Sequence, residues 1–280
     1  MTTIMLTGSN GQLGIALNKE LSKVPDIKII NTDIAELDIC NLDSVLYFIN
    51  QNRPDIIINC AAHTAVDLCE KEENRAFLIN AIGPRNLAIA ANSIDATIVH
   101  VSTDYVFSGE DNKRYNEFDS VNPQSAYGRT KLRGEEFVKA FSNKYFILRT
   151  AWLYGEGNNF VKTMLRLAES HDEVSVVSDQ YGSPTSAKEL ARVIASLINT
   201  SQYGTYHATC EGECSWSDFA REIFRLTEKS TKVNDISTAE YNAPAKRPAY
   251  SVLDNYMLDN TTDIRFKNWQ DALVEYIDNI

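Results

Sequence analysis

IMLTGSNGQLG, residues 4–14, joins a short apolar run to three glycines spaced three residues apart. The apolar run is typical of a buried β-strand, and the apolar positions that follow, from Ile15 to Leu21, repeat with the spacing of a helix. Glycines at such a strand–helix turn let a phosphate approach the backbone, where free N–H groups and the positive end of the helix dipole can bind it. The spacing G-x-x-G-x-x-G therefore predicts a nucleotide-binding turn, although glycines also occur in plain turns.

Strands and helices alternate through the first half of the chain. Apolar runs separated by helical patterns occur at residues 27–31, 56–60, 97–101 and 145–150. Because these runs are continuous, they indicate a parallel sheet that is covered on both faces. The repeated strand–helix units predict an α/β fold, a Rossmann-type doubly wound parallel sheet that binds a dinucleotide, over residues 1–152. Residues 153–280 are predicted to form mainly a smaller mixed α/β substrate lobe, and the chain can cross back between the two parts.

The charge balance argues against two classes of partner. The 280 residues include 27 Lys and Arg against 38 Asp and Glu, which gives a formal net charge of −11. Nucleic acids and anionic membranes favour basic surfaces, so we expect neither as a partner. The sequence shows no signal-peptide pattern and no apolar run near 18 residues, which predicts a cytoplasmic protein. Monomer and homodimer both remain open.

The five cysteines show no disulfide framework. Cys210 and Cys214 are the only close pair, and a metal site there would need two further ligands that the nearby sequence does not offer. We therefore expect reduced thiols and no metal.

Asp33 follows the second predicted strand, 19 residues after Gly14. In a nucleotide-binding βαβ unit, an acidic side chain at this point can accept hydrogen bonds from the adenosine ribose. Its charge would repel a 2′-phosphate, which favours NADH but leaves NADPH open. The same geometry predicts that Asp38 and Ile39 lie against the adenine ring. The alternative for Asp33 is a solvated carboxylate at the end of a strand.

Tyr127 and Lys131 are four residues apart on a predicted helix and therefore share one face. An adjacent ammonium lowers the pKa of a tyrosine, so Tyr127 is predicted to protonate a carbonyl oxygen while hydride reaches its carbon. The hydroxyl of Thr103, at the end of the fourth strand, can hydrogen-bond the same oxygen. His63 is a second candidate base, but a role as a hydrogen-bonding loop residue is favoured.

Several longer motifs resemble the extended short-chain dehydrogenase/reductase superfamily and, within it, the dTDP-4-dehydrorhamnose reductase family. The resemblance covers essentially the whole chain. Its motifs are residues 8–14, 59–67 (NCAAHTAVD), 102–107 (STDYVF), 127–132 (YGRTKL), 149–154 (RTAWLY), 158–160, 179–185 (DQYGSPT) and 247–248. STDYVF and DQYGSPT are far more specific than the glycines or Y-x-x-x-K.

The resemblance implies NADPH or NADH as cofactor and a dTDP-linked 4-keto-6-deoxy sugar as substrate. The C4 ketone of dTDP-4-dehydro-6-deoxy-L-mannose would be reduced to dTDP-L-rhamnose. Tyr127 would donate the proton, Lys131 would support it and bind the nicotinamide ribose, and Thr103 would complete the triad. Further cofactor residues would be Gly8, Asn10, Gly11, Gln12, Leu13, Gly14, Asp33, Asp38, Ile39, Ala61, Ala62, His63, Thr64 and Val101. Thr103, Asp104 and Trp152 would contact the sugar, with Val66 and Asp67 as weaker candidates for the same pocket wall.

The second half offers further substrate candidates. Arg247 lies in a rigid proline-flanked stretch and its planar guanidinium suits a diphosphate, with a surface salt bridge as the alternative. Asn159 and Phe160 are placed to cap a helix and face the nucleotide, with Phe160 either stacking or packing. Gln180 and Tyr181 lie in a turn expected to border the pocket. The aromatic set Trp216, Phe219 and Phe224 has helical spacing and is expected in the lobe core.

Two other functions remain open. An epimerase or dehydratase of the same superfamily would hold NAD and recycle it, but no Asp-Glu pair follows Thr103 to support dehydration. A non-catalytic protein resembling the regulatory subunit of methionine adenosyltransferase would use the fold to bind a partner. The complete set of Thr103, Tyr127 and Lys131 argues against this second alternative.

Overall fold

A computed structural model describes residues 1–280, which form twelve strands and twelve α-helices. The strands are β1 Thr2–Thr7, β2 Ile27–Thr32, β3 Ile56–Asn59, β4 Thr97–Thr103, β5 Tyr145–Thr150, β6 Leu153–Tyr154, β7 Glu173–Val177, β8 Tyr181–Gly182, β9 Thr185–Ser186, β10 Gly204–His207, β11 Cys214–Ser215 and β12 Lys232–Ile236. The α-helices are α1 Gln12–Leu21, α2 Leu42–Asn52, α3 Val66–Lys71, α4 Glu73–Phe77, α5 Gly83–Ser93, α6 Ala126–Phe141, α7 Phe160–Ala168, α8 Ala187–Leu197, α9 Trp216–Leu226, α10 Thr238–Tyr241, α11 Tyr256–Thr261 and α12 Trp269–Ile277.

Six strands form the central sheet in the order β10-β5-β4-β3-β1-β2, and every neighbouring pair is parallel. The chain first steps from β1 to β2 on one side and then returns to β3 on the other. Ligands of open α/β sheets bind at such a reversal, outside the carboxyl ends of the strands. The predicted α/β class and its parallel sheet are confirmed.

The continuous apolar runs fill two cores because successive strand residues point to opposite faces. On β1, Ile4 and Leu6 face a core that also holds residues of α1 and α8, while Met5 faces one that holds residues of α2, α5 and α6. Both faces of the sheet are therefore covered by helices. None of the helices is long and apolar enough to cross a bilayer.

The second half of the chain contributes to the sheet as well as to a lobe of its own. Helix α8 packs beside α1, and β10 pairs with β5 at the edge of the sheet. The parallel pair β7–β12 packs with helices α7 and α9, yet Phe219 and Ile223 of α9 belong to the same core as Ile4 and Leu6. One continuous core thus joins the two parts.

The helical part of the chain between β3 and β4 is divided into several pieces. Helices α3 and α4 are separate, and a π-helical turn, Leu78–Ile82, precedes α5. Pro84 has no N–H to donate to the carbonyl of Asn80, four residues earlier, so the α-helical ladder is interrupted here. Strand β12, helices α10 and α11, and the two-residue strands were not anticipated, because such short elements carry no clear period.

Candidate active site

The largest group of expected site residues lines one cleft of about 490 Å³ at the carboxyl ends of the central strands. These residues are Gly8, Gly11, Gln12, Leu13, Gly14, Ala62, Thr64, Val66, Val101, Thr103, Asp104, Tyr127, Lys131 and Trp152. The glycine turn after β1, the loop after β3, the end of β4 and the first turns of α6 meet here. Residues that are more than 100 positions apart in sequence thus share one cavity.

A second cavity, of about 590 Å³, continues from the first and shares Gly8, Gly11 and Ala62 with it. Asp33, Asp38, Ile39 and Ala61 line it, as expected for an adenosine site. Arg75 from α4 and the apolar side chains of Leu78 and Ile79 complete the wall. Sequence reasoning missed these three residues, because nothing in their spacing relates them to the glycine turn.

The glycine turn has the form that a diphosphate requires. Gly8 has a φ of +63°, and a Cβ at this position would lie only 2.7 Å from the backbone nitrogen of Ala61. Gly11 is the N-cap of α1 and offers no side-chain cap, so the first N–H groups of the helix remain available to an anion. The residues present therefore fit a dinucleotide whose diphosphate crosses the N-terminus of α1.

Asp33 lines the second cavity, and its carboxylate is held by backbone N–H groups. Its carboxylate accepts hydrogen bonds from the N–H of Ile34 at 2.8 Å and from the N–H of Asn10 at 3.3 Å. The contact made by Asn10 comes from its backbone, and its exposed side chain lines neither cavity. The backbone of Asn10 therefore helps to orient Asp33.

Thr103 and Tyr127 meet in the cleft, and burial sets the acidity of the phenol. The Thr103 hydroxyl donates to Asp104 Oδ1 at 2.9 Å and accepts from the N–H of Tyr105 at 3.2 Å. Burial raises the pKa of Tyr127, and the neighbouring Thr103 hydroxyl offsets only part of that rise. At neutral pH the phenol therefore holds its proton.

Burial, rather than Lys131, sets the direction in which the pKa of Tyr127 shifts, contrary to the expectation from their spacing. Its Nζ donates to the carbonyl of Val101 at 2.5 Å, and the side chain is almost fully buried. Burial lowers the pKa of Lys131 to about 8, while Glu135, one turn further along α6, opposes that change. Burial is thus the main cause of the pKa shifts of both Tyr127 and Lys131. The four-residue spacing alone did not reveal how deeply the two side chains are buried.

Asp104 is a buried carboxyl group at the end of β4. Only 2% of the residue is exposed, and its Oδ2 has no hydrogen-bond partner. Burial raises the pKa of Asp104 to about 6. Because Asp104 lines the cleft, the free oxygen is available to a hydroxyl of a bound sugar.

A buried network behind the triad fixes the position of helix α6. Arg149 binds Glu135 through two hydrogen bonds of 2.9 and 2.8 Å, and Ser102 donates to the same carboxylate at 2.6 Å. Charge-assisted bidentate pairs of this kind have well-defined geometry. The network links β4 and β5 to the helix that carries Tyr127 and Lys131.

His63 lines neither cavity, and its backbone is held by Asn80. Asn80 accepts from the N–H of His63 at 2.7 Å and donates to its carbonyl at 3.1 Å and to Thr130 at 3.2 Å. This double contact places the neighbours Ala62 and Thr64 in the cleft. The favoured reading of His63 as a loop residue thus agrees with the geometry, and Asn80 is a supporting residue that sequence reasoning missed.

Asn159, Phe160, Gln180 and Tyr181 were expected near the nucleotide, but they do not line either cavity. Asn159 caps α7 by accepting from the N–H of Lys162, and Phe160 packs on Phe219 with ring centroids 5.5 Å apart. Gln180 is buried and donates to Thr238, whereas Tyr181 is 41% exposed. Asn159, Phe160 and Gln180 are thus engaged in capping, ring packing and hydrogen bonding within the lobe. Tyr181 lies outside both cavities.

Arg247 forms an ion pair with Asp67 beside the cleft. Its two terminal nitrogens donate to the two carboxylate oxygens at 3.1 and 2.8 Å, and Asp67 also accepts from the N–H of Ala245. The guanidinium lowers the pKa of Asp67. Asp67 adjoins Val66, which lines the cleft, so the pair joins α3 to the segment Ala245–Pro248 at its edge.

Trp216 packs against the core as expected, and it also lines the cleft, which was not expected. Its indole stacks on Trp152 with ring centroids 3.6 Å apart and planes 9° apart, while Phe219 and Phe224 are buried as expected. Trp216 is the first residue of α9, and its side chain reaches the cleft as well as the core, which the helical spacing alone did not show.

The five cysteines are unpaired, and no three His, Cys, Asp or Glu side chains are grouped so that they could hold a metal ion. The site is thus built from hydroxyl, ammonium, carboxylate and aromatic groups around a nucleotide-binding groove. Such a set can transfer a proton to a carbonyl oxygen next to a bound dinucleotide.

Comparisons with known proteins agree with this geometry. The model of the RmlD substrate binding domain matches residues 1–280. The dTDP-4-dehydrorhamnose reductase of Aggregatibacter actinomycetemcomitans is 42% identical over 98% of this chain and 97% of its own. The crystal structure of a dTDP-4-dehydrorhamnose reductase from Clostridium acetobutylicum is 57% identical, covers 99% of each chain and gives a TM-score of 0.97. That of dTDP-4-dehydrorhamnose reductase from Bacillus anthracis in complex with NADP is 45% identical, covers 100% of each chain and gives 0.98.

The matched residues span the glycine turn, the triad and the lobe, so both the cofactor side and the substrate side are included. The chain belongs to the dTDP-4-dehydrorhamnose reductase family.

Proposed function

We propose that this protein reduces the C4 ketone of dTDP-4-dehydro-6-deoxy-L-mannose to dTDP-L-rhamnose, using NADPH or NADH. The observation that carries the proposal is the meeting of Thr103, Tyr127 and Lys131 in a cleft that the glycine turn also lines. Full-length relatives bear the name of this activity, and the relative from Bacillus anthracis holds NADP. The reduced nicotinamide supplies the hydride.

Tyr127 is the proposed proton donor. Its raised pKa keeps the phenol protonated at neutral pH, and a ketone oxygen that gains negative charge becomes basic enough to take the proton. Thr103 would donate a hydrogen bond to the same oxygen, for which its proton must turn away from Asp104. Lys131 would stabilise the phenolate that remains, because a buried ammonium acts strongly on charge that develops in a dry site.

The two ends of the cofactor site have separate tasks. Gly8 and Gly11 leave the backbone of the turn open to the diphosphate, and Asp33 accepts from the adenosine ribose. Arg75 lies on the wall of the same cavity, 67% of its side chain is exposed, and it pairs with Glu72 at 3.2 Å. Its charge supports use of NADPH, whereas Asp33 supports NADH, so we propose that the chain accepts both.

The substrate side is proposed to run from Asp104, Val66 and Trp152 at the sugar to Arg247 at the diphosphate. Arg247 is hydrogen-bonded to Asp67, because its two terminal nitrogens donate to the two oxygens of that carboxylate. Binding of the diphosphate would therefore exchange one anion for another on the same planar group. Residues 1–152 would bind mainly the cofactor and residues 153–280 mainly the substrate, with α8 and β10 crossing back.

A direct assay tests the proposed activity. The purified protein, mixed with NADPH and dTDP-4-dehydro-6-deoxy-L-mannose, should lower the absorbance at the nicotinamide band and yield dTDP-L-rhamnose. Tyr127→Phe should lower kcat at least ~100-fold, the usual scale for loss of a general acid, without loss of NADPH binding. A full rate in this variant would overturn the mechanism.

The two rival functions predict other results in the same assay. An epimerase or dehydratase would carry bound NAD through purification and cause no net oxidation of added NADPH. A regulatory protein would show no turnover and would co-purify with a synthetase. Either result would overturn the proposed reduction.

We also propose a cytoplasmic protein that acts as a monomer or homodimer, without a nucleic-acid or membrane partner. The net charge of −11 and the five free cysteines support this proposal. Light scattering of the purified protein would give its oligomeric state, and retention on DNA or on anionic vesicles would contradict the proposed lack of such partners.

A further inference from the structure

Two of the three tryptophans form a stacked pair in the wall of the cleft. Trp152 and Trp216 lie face to face, and both line the cavity that Thr103 and Tyr127 also line. The third, Trp269, is 4% exposed and packs edge-on against Phe219 inside the core. The pair is thus the only indole surface in contact with the cleft.

Trp152 is held next to the catalytic hydroxyl at some cost in backbone strain. Thr150, two residues earlier, pairs with Thr103 in the parallel register of β5 and β4. Trp152 itself has a φ of +49°, a left-handed conformation that is rare for a bulky residue. Strain of this kind persists where surrounding contacts over-determine it and is concentrated at functional sites.

Gly182 makes room for the indole of Trp152. A Cβ on Gly182 would lie 2.4 Å from Cε2 of Trp152. Gly182 belongs to β8, within the motif at residues 179–185, whose side chains at Gln180 and Tyr181 do not reach the cleft. The motif therefore affects the site through Gly182, whose lack of a side chain leaves room for the indole of Trp152.

The same small ribbon positions Trp216 on the other side. Gly182 of β8 pairs with Cys214 of β11, and Ser215 then caps α9 in a capping box with Asp218. Trp216 follows directly, and Phe160 packs against it with ring centroids 4.6 Å apart. Trp152 is therefore fixed between Gly182 and Trp216, and neither indole can move without disturbing the other.

The chemistry of this wall differs from that of the triad. Thr103, Asp104 and Tyr127 offer polar groups, whereas the two indoles present apolar ring surface, extended by Leu153 and Val66. A methyl group or the apolar face of a pyranose gains from contact with such rings. A hydroxyl buried against them would lose its hydrogen bonds to water without replacement.

We propose that Trp216, through its stack on Trp152, determines specificity for a sugar that carries a methyl group at C5 rather than a hydroxymethyl group. The assignment rests on the proposed function for the identity of the sugar nucleotide. Both indoles line the cleft, and the stack of Trp216 on Trp152 holds the two rings together as one apolar wall. The 6-deoxy group of the substrate thereby becomes a binding determinant although it takes no part in the reaction.

Inhibition by a matched pair of ligands tests this proposal. dTDP-L-rhamnose and dTDP-L-mannose differ only in the hydroxyl at C6, and their inhibition constants in the wild-type protein measure the preference for the methyl group. Trp216→Leu should reduce this preference roughly 10-fold, the scale for one methyl-sized group in an apolar pocket. Trp216→Phe, which keeps an aromatic ring, should retain part of it, and KM for the keto sugar should rise more than kcat falls.

Trp269→Phe is the matched control, since it removes an indole that packs on the same helix but lies outside the cleft. It should leave the preference unchanged, and it also leaves the stacked pair as the only tryptophans. In this variant, dTDP-L-rhamnose should change the tryptophan fluorescence more than dTDP does, because only the former brings a sugar to the pair. This measurement needs no substitution at Trp216.

Two results would overturn the proposal. Equal inhibition-constant shifts for both ligands in Trp216→Leu would show that the indole is not selective for the methyl group. An identical fluorescence response to dTDP and dTDP-L-rhamnose would show that the sugar does not reach the pair. Failure of the proposed function is seen separately, as lack of NADPH oxidation by the wild-type protein with the keto sugar.

Discussion

Lys131 shows how burial changes the chemistry of a single residue. With a pKa of about 8, the ammonium loses its proton within the range of ordinary assays, whereas an exposed lysine would not. Below pH 8 Lys131 is charged and can stabilise the phenolate of Tyr127. Above pH 8 that support is lost, so we expect kcat/KM to fall on the alkaline side with a midpoint near 8.

A pH profile of initial rates measures this effect, and Lys131→Arg provides its control. Arginine stays protonated throughout the range, so the variant should be slower but should lose the alkaline fall. Tyr127 cannot be the source of a midpoint near 8, since burial raises its pKa. A profile that is flat to pH 9 in the wild-type protein would contradict the role assigned to Lys131.

Asp33 and the choice of cofactor also belong to the scale of single residues. Two unit charges about 4 Å apart repel by about 1 kcal/mol in water, which corresponds to ~5-fold in affinity. Asp33→Asn should therefore raise the ratio of kcat/KM for NADPH to that for NADH by about this factor, because it removes the charge that faces a 2′-phosphate. Arg75→Met should lower the ratio. Steady-state kinetics with both cofactors measure it, and no change in either variant would place the 2′ position elsewhere.

Residues 245–248 form no regular structure, and two ion pairs hold them, Arg247 with Asp67 and Lys246 with Glu110. Arg247 and Asp67 join them to α3, and if the diphosphate displaces Asp67, the two substitutions should act differently. Arg247→Met should raise KM for the sugar nucleotide at least ~10-fold, since charge-assisted hydrogen bonds to an anion contribute about 1.5–3 kcal/mol each. Asp67→Asn removes only the competing charge and should leave that KM unchanged or lower it.

Steady-state kinetics with NADPH as the fixed substrate separate these outcomes. KM for NADPH serves as the internal control, because Arg247 lines neither the main cleft nor the adenosine cavity. If both substitutions raised KM for the sugar nucleotide equally, the pair would be a structural tie and Arg247 would not bind the diphosphate.

Helices and strands with a clear hydrophobic periodicity were predicted well, whereas strands that form only by pairing with a distant segment were not. Helix α6 and strand β5 were both indicated by their apolar patterns. The helix buries one face over 16 residues, and the strand is buried along most of its length. The two-residue strands β8 and β11 exist only because they pair with each other, which no local pattern shows. That Trp216 also lines the cleft was missed for the same reason, since the ring on which it stacks, Trp152, lies 64 positions earlier.

At the scale of the whole molecule, the glycine turn and the triad could be related from sequence because both follow strands of one sheet. That β10 completes this sheet could not, since Gly204–His207 is short and reaches β5 only after more than 50 intervening residues. Residues 1–152 and 153–280 share one hydrophobic core, so the division proposed between them concerns the ligands that each part binds.

The shared core leads to a prediction about the isolated fragment of residues 1–152. It lacks α8, whose Leu190, Val193, Ile194 and Leu197 are almost fully buried and face the core that holds Leu17 of α1. Losing the burial of a large aliphatic side chain costs about 1.5–3 kcal/mol, so these four residues alone account for roughly 6–12 kcal/mol. That equals the whole stability of a typical domain, about 5–15 kcal/mol.

The fragment also exposes the edge of β5, where β10 pairs in the full chain, and an unpaired edge promotes aggregation. We therefore expect it to show no cooperative thermal unfolding by circular dichroism and no binding of NADPH, whereas the full chain shows both. A fragment that melted cooperatively and bound NADPH would mean that the nucleotide-binding half folds without α8 and β10.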